Sequence, residues 1–335
     1  MLDERKAKIL QAVVTEYIET AQPVGSGHVA AKADVKVSPA TVRNDMAALE
    51  AEGFLAQPHT SAGRIPTEKG YRFFVDQLGG PGRLGASETQ QVRAFFAQTH
   101  KQIDQMLADT SRLLSSLTHN AAVVVGPQPE VTTVRSVQLV SLNARNILLV
   151  VVFSNGAVEK YSLEFSEDVD ELSVNAAGVQ LSTLMVGTSL AKISTPSEQN
   201  EQTSISEKIV SLALEKVKGE SHQSEHVFIG GTSQMVSNFD AVRKVSEILH
   251  ILEEQLVVVS LLEDVLSRGL SVAIGRETGS EALADCALVV APYEIDGEFA
   301  GTIGVLGPTR MHYDQALSAV AVVANRLGRT LSENG

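Results

Sequence analysis

SPATVRNDMAALEAEG, Ser38 to Gly53, is the stretch on which the fold turns. Ser38 is a strong N-cap residue and Pro39 suits the first helical position, so a helix start is signalled twice. Gly53 closes the segment as a C′ glycine does. On a 3.6-residue wheel Val42, Met46 and Leu49 fall on one side and face a core. Ala40, Asn44, Ala47 and Ala51 fall on the other, with Thr41 and Arg43 flanking. That outer face is small enough to enter a groove closely. Arg bonds guanine edges bidentately and Asn does so with adenine. An ordinary surface helix has the same pattern, so the neighbouring segments decide between the two.

Upstream, Asp3 and Glu4 suit a helix N-terminus, and Ile9, Leu10, Val13, Val14 and Tyr17 recur at helical spacing to about Thr20. Pro23-Val24-Gly25 ends that helix. Ser26 caps a short second helix, His28 to Ala33, and a turn over 34–37 leads into the third. This order predicts a helix-turn-helix with 39–53 as its reading helix. Downstream, Phe54 to Gln57 is short and half apolar, and Pro58 to Pro66 is rich in turn formers with one base, Arg64. Strand, basic loop and strand after the third helix predict a wing beside it, and Thr67 caps a further helix through Tyr71, Phe73, Phe74 and Leu78. Gly79-Gly80-Pro81-Gly82 reads as a hinge.

Beyond the hinge, an amphipathic helical pattern from about Ser87 to Thr118 could extend over about 40 Å if unbroken. The period then changes to two, with candidate strands at 121–125, 132–142, 146–153 and 158–163, Asn155-Gly156 marking a hairpin. A helix is expected at 169–185. Residues 188–225 are rich in Ser, Glu and Gln and suggest an insertion. Helices at 240–267, strands at 271–275, 286–293 and 299–306, and a last helix at 313–331 complete an α+β body.

The 335 residues call for more than one domain. With 44% hydrophobic residues the chain supports real cores, and no apolar run of about 18 residues predicts a membrane span. The charged start, MLDERKAKILQ, has no secretion-signal core. The single cysteine, Cys286, excludes an internal disulfide framework, fits a reducing cytoplasm and reads as a packed thiol. The net charge of −13 is unevenly spread. Residues 1–80 hold nine Lys/Arg against ten Asp/Glu, and the remainder eighteen against thirty. A nearly neutral head therefore sits on an acidic body. Lys32, Lys36, Arg43, Arg64, Lys69 and Arg72 could supply a local basic face for phosphates, and the acidic body suppresses non-specific binding.

PVGS at 23–26, SPATVRNDMAALEAEGFL at 38–55, PHTSAGRIPTEKGYRFFVD at 58–76 and GPTRMHY at 307–313 resemble the HrcA family of heat-inducible transcription repressors. The resemblance covers essentially the full length and is most specific in the first eighty residues. It implies an N-terminal winged helix at 1–80 and a linker at 81–118. A GAF-like domain at 119–187 and 263–335 would follow, interrupted by an inserted dimerisation domain at 188–262. It also implies a homodimer on double-stranded DNA at the CIRCE inverted repeat upstream of chaperone operons, helped to its active fold by a GroEL-type chaperonin. Chaperonin occupied by unfolded protein would then release the chaperone genes.

Arg43 and Asn44 are expected to read bases, and Ala40 and Ala47 to permit close approach. Thr41, Ser38 and Lys36 would position phosphates. On the wing His59, Ser61, Gly63 and Arg64 are the candidates, His59 being equally well a solvated loop histidine. Asp45 reads as a structural ion-pair partner. Gly301, Gly304 and Gly307 lack phosphate-loop spacing and read as packing glycines. Arg310 suits a helix entry or an interface, the other reading being an anion contact in a GAF-like pocket. His222 and His226, four apart, lack the further ligands a zinc site needs, and no cofactor is expected. A regulator gated by a small ligand, and an enzyme with a DNA-targeting head, are the competing functional classes.

Overall fold

The structure, a computed structural model, describes residues 2–32, 37–59, 63–97, 103–126, 133–154, 158–189, 193, 204–220, 227–234, 242–268 and 271–334. In the head, α1 (Glu4–Thr20) starts at Asp3, whose carboxylate accepts from the Lys6 amide at 2.8 Å. Its Ile9, Leu10, Val13 and Val14 are fully buried. Helix α2 (Ser26–Lys32) begins at Ser26 itself, two residues before the expected His28. Helix α3 (Pro39–Ala51) has Ser38 as its N-cap, with the hydroxyl accepting from the Thr41 amide, and Val42, Met46 and Leu49 buried. Gly53 follows at φ +80°, a left-handed conformation that glycine adopts without strain. Strands β1 (Leu55–Ala56) and β2 (Ile65–Pro66) pair antiparallel, and α4 (Glu68–Gln77) is capped by Thr67. An antiparallel bridge from Val24 to Arg64 adds the 23–25 segment to this sheet. The head is a winged helix.

The expected long helix is instead α5 (Ala86–Phe96) and α6 (Ile103–Thr118). Helix α5 ends at its cap, Ala97, and 98–102 lie outside the described residues. Strand β3 (Ala121–Val125) opens the main sheet. A meander of β4 (Val134–Ser141), β5 (Asn146–Phe153) and β6 (Val158–Glu164) follows, then α7 (Glu171–Met185) and α8 (Ile205–Glu220). The chain continues through β7 (Val227–Gly230), α9 (Val242–Glu253), α10 (Gln255–Ser267), β8 (Val272–Ile274), β9 (Cys286–Ile295), β10 (Glu298–Pro308) and α11 (Tyr313–Asn334).

The main sheet has the order β7-β3-β10-β9-β8, antiparallel throughout. Both faces are covered, so successive residues enter different cores. Ala122 and Val124 join the cluster that holds α6 and α11, whereas Ala121, Val123 and Val125 join the one that holds α9 and α10. Cys286 is fully buried in the second cluster, and the first continues without a break into the head.

The interruption of this sheet differs from the expected 188–262. The chain leaves the sheet after Val125 and re-enters at Val227, which pairs with Val125. Between them β4, β5, β6, α7 and α8 enclose a core of their own, built on Ile147, Leu149, Val151, Phe153, Leu181 and Leu214. Ile248, Leu252, Val258 and Leu262, expected within the insert, pack on the main sheet. Period-two patterning shows that 134–164 are strands but carries no information about which sheet they join. The hairpin at Asn155-Gly156 and His222 and His226 lie outside the described residues. No described helix is long and apolar enough to cross a membrane.

Candidate nucleic-acid interface

Helix α3 is held from behind by α1 and α2 and turns its other side outward. Ala40, Arg43, Asn44, Ala47 and Ala51 are exposed. Among the described residues, the side chains of Arg43 and Asn44 have no ion-pair or hydrogen-bond partner. Thr41 is half-buried, with its hydroxyl 3.0 Å from that of Ser38. Both hydroxyls lie at the helix N-terminus, where orphan amides and the helix dipole favour an anion. Asp45 is buried to 7% exposure and accepts from Arg5 Nε at 2.8 Å and Nη2 at 3.1 Å. That pair ties the reading helix to α1 and raises the Arg5 guanidinium further above its ordinary range, chiefly through the hydrogen bond.

The wing is pinned beside this face. Arg64 exchanges backbone hydrogen bonds with Val24 at 2.8 and 2.9 Å, and its Nε and Nη2 lie 2.9 and 2.8 Å from Glu50 Oε2 on α3. Its side chain is 17% exposed. The guanidinium thus braces wing against helix, and any phosphate it meets is shared with Glu50. Gly63 is half-buried, and a Cβ there would collide with the Val24 carbonyl. It serves close backbone approach rather than freedom at a wing tip. His59 is exposed on the wing. Lys36 and Ser61 lie outside the described residues.

The basic face is narrower than the sequence suggests. Lys32 Nζ lies 2.6 Å from Glu16 Oε2, and His28 Nε2 lies 2.8 Å from Oε1 of the same carboxylate. Lys69 Nζ donates to the Glu52 carbonyl and sits 4.3 Å from the Phe54 ring centroid. Arg72 points away from α3 into the body and pairs with Glu277. These engagements link residues distant in the chain, so no local motif announces them. Gly301, Gly304 and Gly307 pack tightly against Val125, Leu262 and Asn120, consistent with packing glycines. Among the described residues no cluster of His, Cys, Asp or Glu could hold a metal.

A third helix turned outward with a wing braced at its side defines the winged-helix class, one known for DNA binding. Residues 1–78 match the family model of the winged helix-turn-helix transcription repressor HrcA DNA-binding domain, and residues 104–317 that of the HrcA protein C-terminal domain. The chain belongs to the HrcA family of heat-inducible transcription repressors. A heat-inducible transcription repressor HrcA from Nocardia farcinica is 37% identical over 339 residues, spanning 99% of this chain and 97% of the relative. One from Acidothermus cellulolyticus is 37% identical over 342 residues and spans both chains completely. A solved structure described as a hypothetical protein at 2.2 Å resolution superposes over the full length of both chains with a TM-score of 0.65 at 24% identity, a likeness of fold. The chain is a transcription repressor with a DNA-binding winged-helix domain, and not an enzyme.

Proposed function

We propose that this chain represses chaperone operons by binding the CIRCE inverted repeat as a homodimer, with a GroEL-type chaperonin maintaining the competent fold in the cytoplasm. The observation that carries the reading is the outward α3 face, where Ala40 and Ala47 leave room around Arg43 and Asn44. Base readout belongs to those two, and phosphate positioning to Ser38, Thr41 and the helix N-terminus. Lys36, His59 and Ser61 would extend the contact along the backbone, and Arg64 and Gly63 hold the wing in place for it.

An inverted repeat calls for two-fold symmetry. A self-complementary surface is available on the open side of β4-β5-β6. Val140 stands opposite Leu148, and Val152 opposite Val158, with Val150 between them on the same face. Val140 and Val158 are 44% and 51% exposed. These five apolar residues, with Gln138 and Lys160 on either side of Val150, suit a partner surface that is part apolar and part polar, so the inserted unit is the dimerisation domain of this reading and the five-stranded sheet its GAF-like domain. The same exposed surface is what a chaperonin would engage in an unpaired subunit. The groove between β9, the turn at 296–297 and α11, about 580 Å³, is open, and Glu294, Asp296, Arg329 and Glu333 are among the residues that line it. It lacks the apolar enclosure typical of a small-ligand site, so a ligand-gated regulator gains no support from it.

Footprinting on a CIRCE-containing promoter, with and without chaperonin at two temperatures, tests the proposal. Protection of both arms that strengthens with chaperonin is expected. Absence of protection at either temperature would refute operator binding, and indifference to chaperonin would refute the feedback.

A further inference from the structure

Besides the apolar cluster that runs from one into the other, head and body share a covalent joint and, among the described residues, an ion-paired one, and these two differ in stiffness. The covalent joint is Leu78 to Gly85, LGGPGRLG. Gly79 and Gly80 hold φ of +68° and +105° with open space around them. A flexible chain of that length spans about 15 Å root-mean-square. The other joint lies on α4. Arg72 Nε donates to Glu277 Oε1 at 3.0 Å, and its Nη2 reaches Glu277 Oε2 and the Val272 carbonyl, the latter at 2.7 Å. Glu277 is itself fixed, because Oε2 accepts from the Ile274 amide at 2.9 Å. Asp76 flanks Arg72 from its own helix at 3.3 Å. Beside the ion pair Tyr71 is buried against Tyr313, ring centroids 6.0 Å apart. Glu68 lies over Gly275, where a Cβ would fall 2.6 Å from its Oε1.

We propose that this clamp sets the angle of the reading helix on the body and thereby makes the dimer selective for the spacing between half-sites. The inference rests on the reading that the chain binds an inverted repeat as a dimer. One extra base pair moves the far half-site by about 3.4 Å and turns it by about 34° around the DNA axis. A planar guanidinium held by three directional bonds cannot follow that turn, whereas a tether reaching about 15 Å can. Discrimination between spacings therefore belongs to Arg72 and Glu277 as positioning residues, and the glycine linker contributes none of it.

The test compares full-length wild type, Arg72→Glu and the exchanged pair Arg72→Glu/Glu277→Arg on the CIRCE repeat and on repeats lengthened by 1 and 2 base pairs between the arms. Wild type should lose about tenfold or more in affinity on the altered repeats, the scale of one wrong base pair, and Arg72→Glu less than about threefold. The exchanged pair should restore the penalty. Spin labels at Gln11→Cys and Glu298→Cys, read without DNA, should give a narrow distance distribution in wild type and a broad one in Arg72→Glu. If Arg72→Glu keeps the full spacing penalty, or keeps the narrow distribution, the clamp is not the ruler and operator binding stands. If wild type fails on the parent repeat, operator binding falls and this inference falls with it.

Discussion

Asn44 and Arg64 show how differently two polar residues near a groove are committed. Asn44 has no side-chain partner among the described residues, which leaves its amide to an adenine edge, whereas Arg64 has already spent two donors on Glu50. Asn44→Ala should relax preference at one base position, by about 1–3 kcal/mol, in a binding series over mutated operators. A uniform loss over all sequences would instead mark a phosphate contact. Gly63→Ala should lower head stability by about 1–3 kcal/mol, because the added methyl meets the Val24 carbonyl and forces the wing away. Chemical denaturation checks it. At Glu16, the hydrogen bond from Lys32, helped by His28, holds the carboxyl below its ordinary 4.5. A depressed folded value means stability that is present above 4.5 and lost as the pH falls through the folded value. Glu16→Gln should therefore melt lower than wild type at neutral pH, and the gap should close as the pH falls below 4.5.

Elements were legible where their signals are local. Ser38, Pro39 and Gly53 bound α3 within two residues of its observed end, and the Val42, Met46, Leu49 stripe is buried as the wheel requires. The wing is harder. Its two strands have two residues each, and the bridge that completes the sheet joins Val24 to Arg64 across forty positions of chain. The PVGS and AGRIP segments are both turn-like in composition, and nothing local shows that one lies against the other. The β4-β5-β6 meander is legible as strands but not as a separate sheet, since alternation records which side is buried and not what buries it. Its open side is where symmetry can be tested. In the dimer of the proposed reading, Val150→Lys should convert dimer to monomer in sedimentation while leaving the head folded, because it sets a second cation directly opposite Lys160 in the middle of the paired face.

At the scale of the whole molecule, composition alone misleads. A net charge of −13 argues against a DNA-binding protein until its distribution along the chain is considered. Even then, half of the expected basic face is used internally: Lys32, Arg64 and Arg72 each bind a carboxylate of the chain itself. The contact of Arg72 with Glu277 spans 205 positions, a separation at which single-sequence patterning is silent.

Val125 and Val227 are direct neighbours on adjacent antiparallel strands, with the entire three-stranded unit lying between them in the chain. A hundred residues thus occupy a place that a four-residue reverse turn could fill. Replacing 127–226 by such a turn should give a shorter protein whose five-stranded sheet still closes, visible as a cooperative melt. That protein should grip one arm of an operator and lose simultaneous occupancy of both. Such a splice point is the mark of a module that a lineage could acquire, exchange or discard whole, without disturbing the register of the scaffold that carries it.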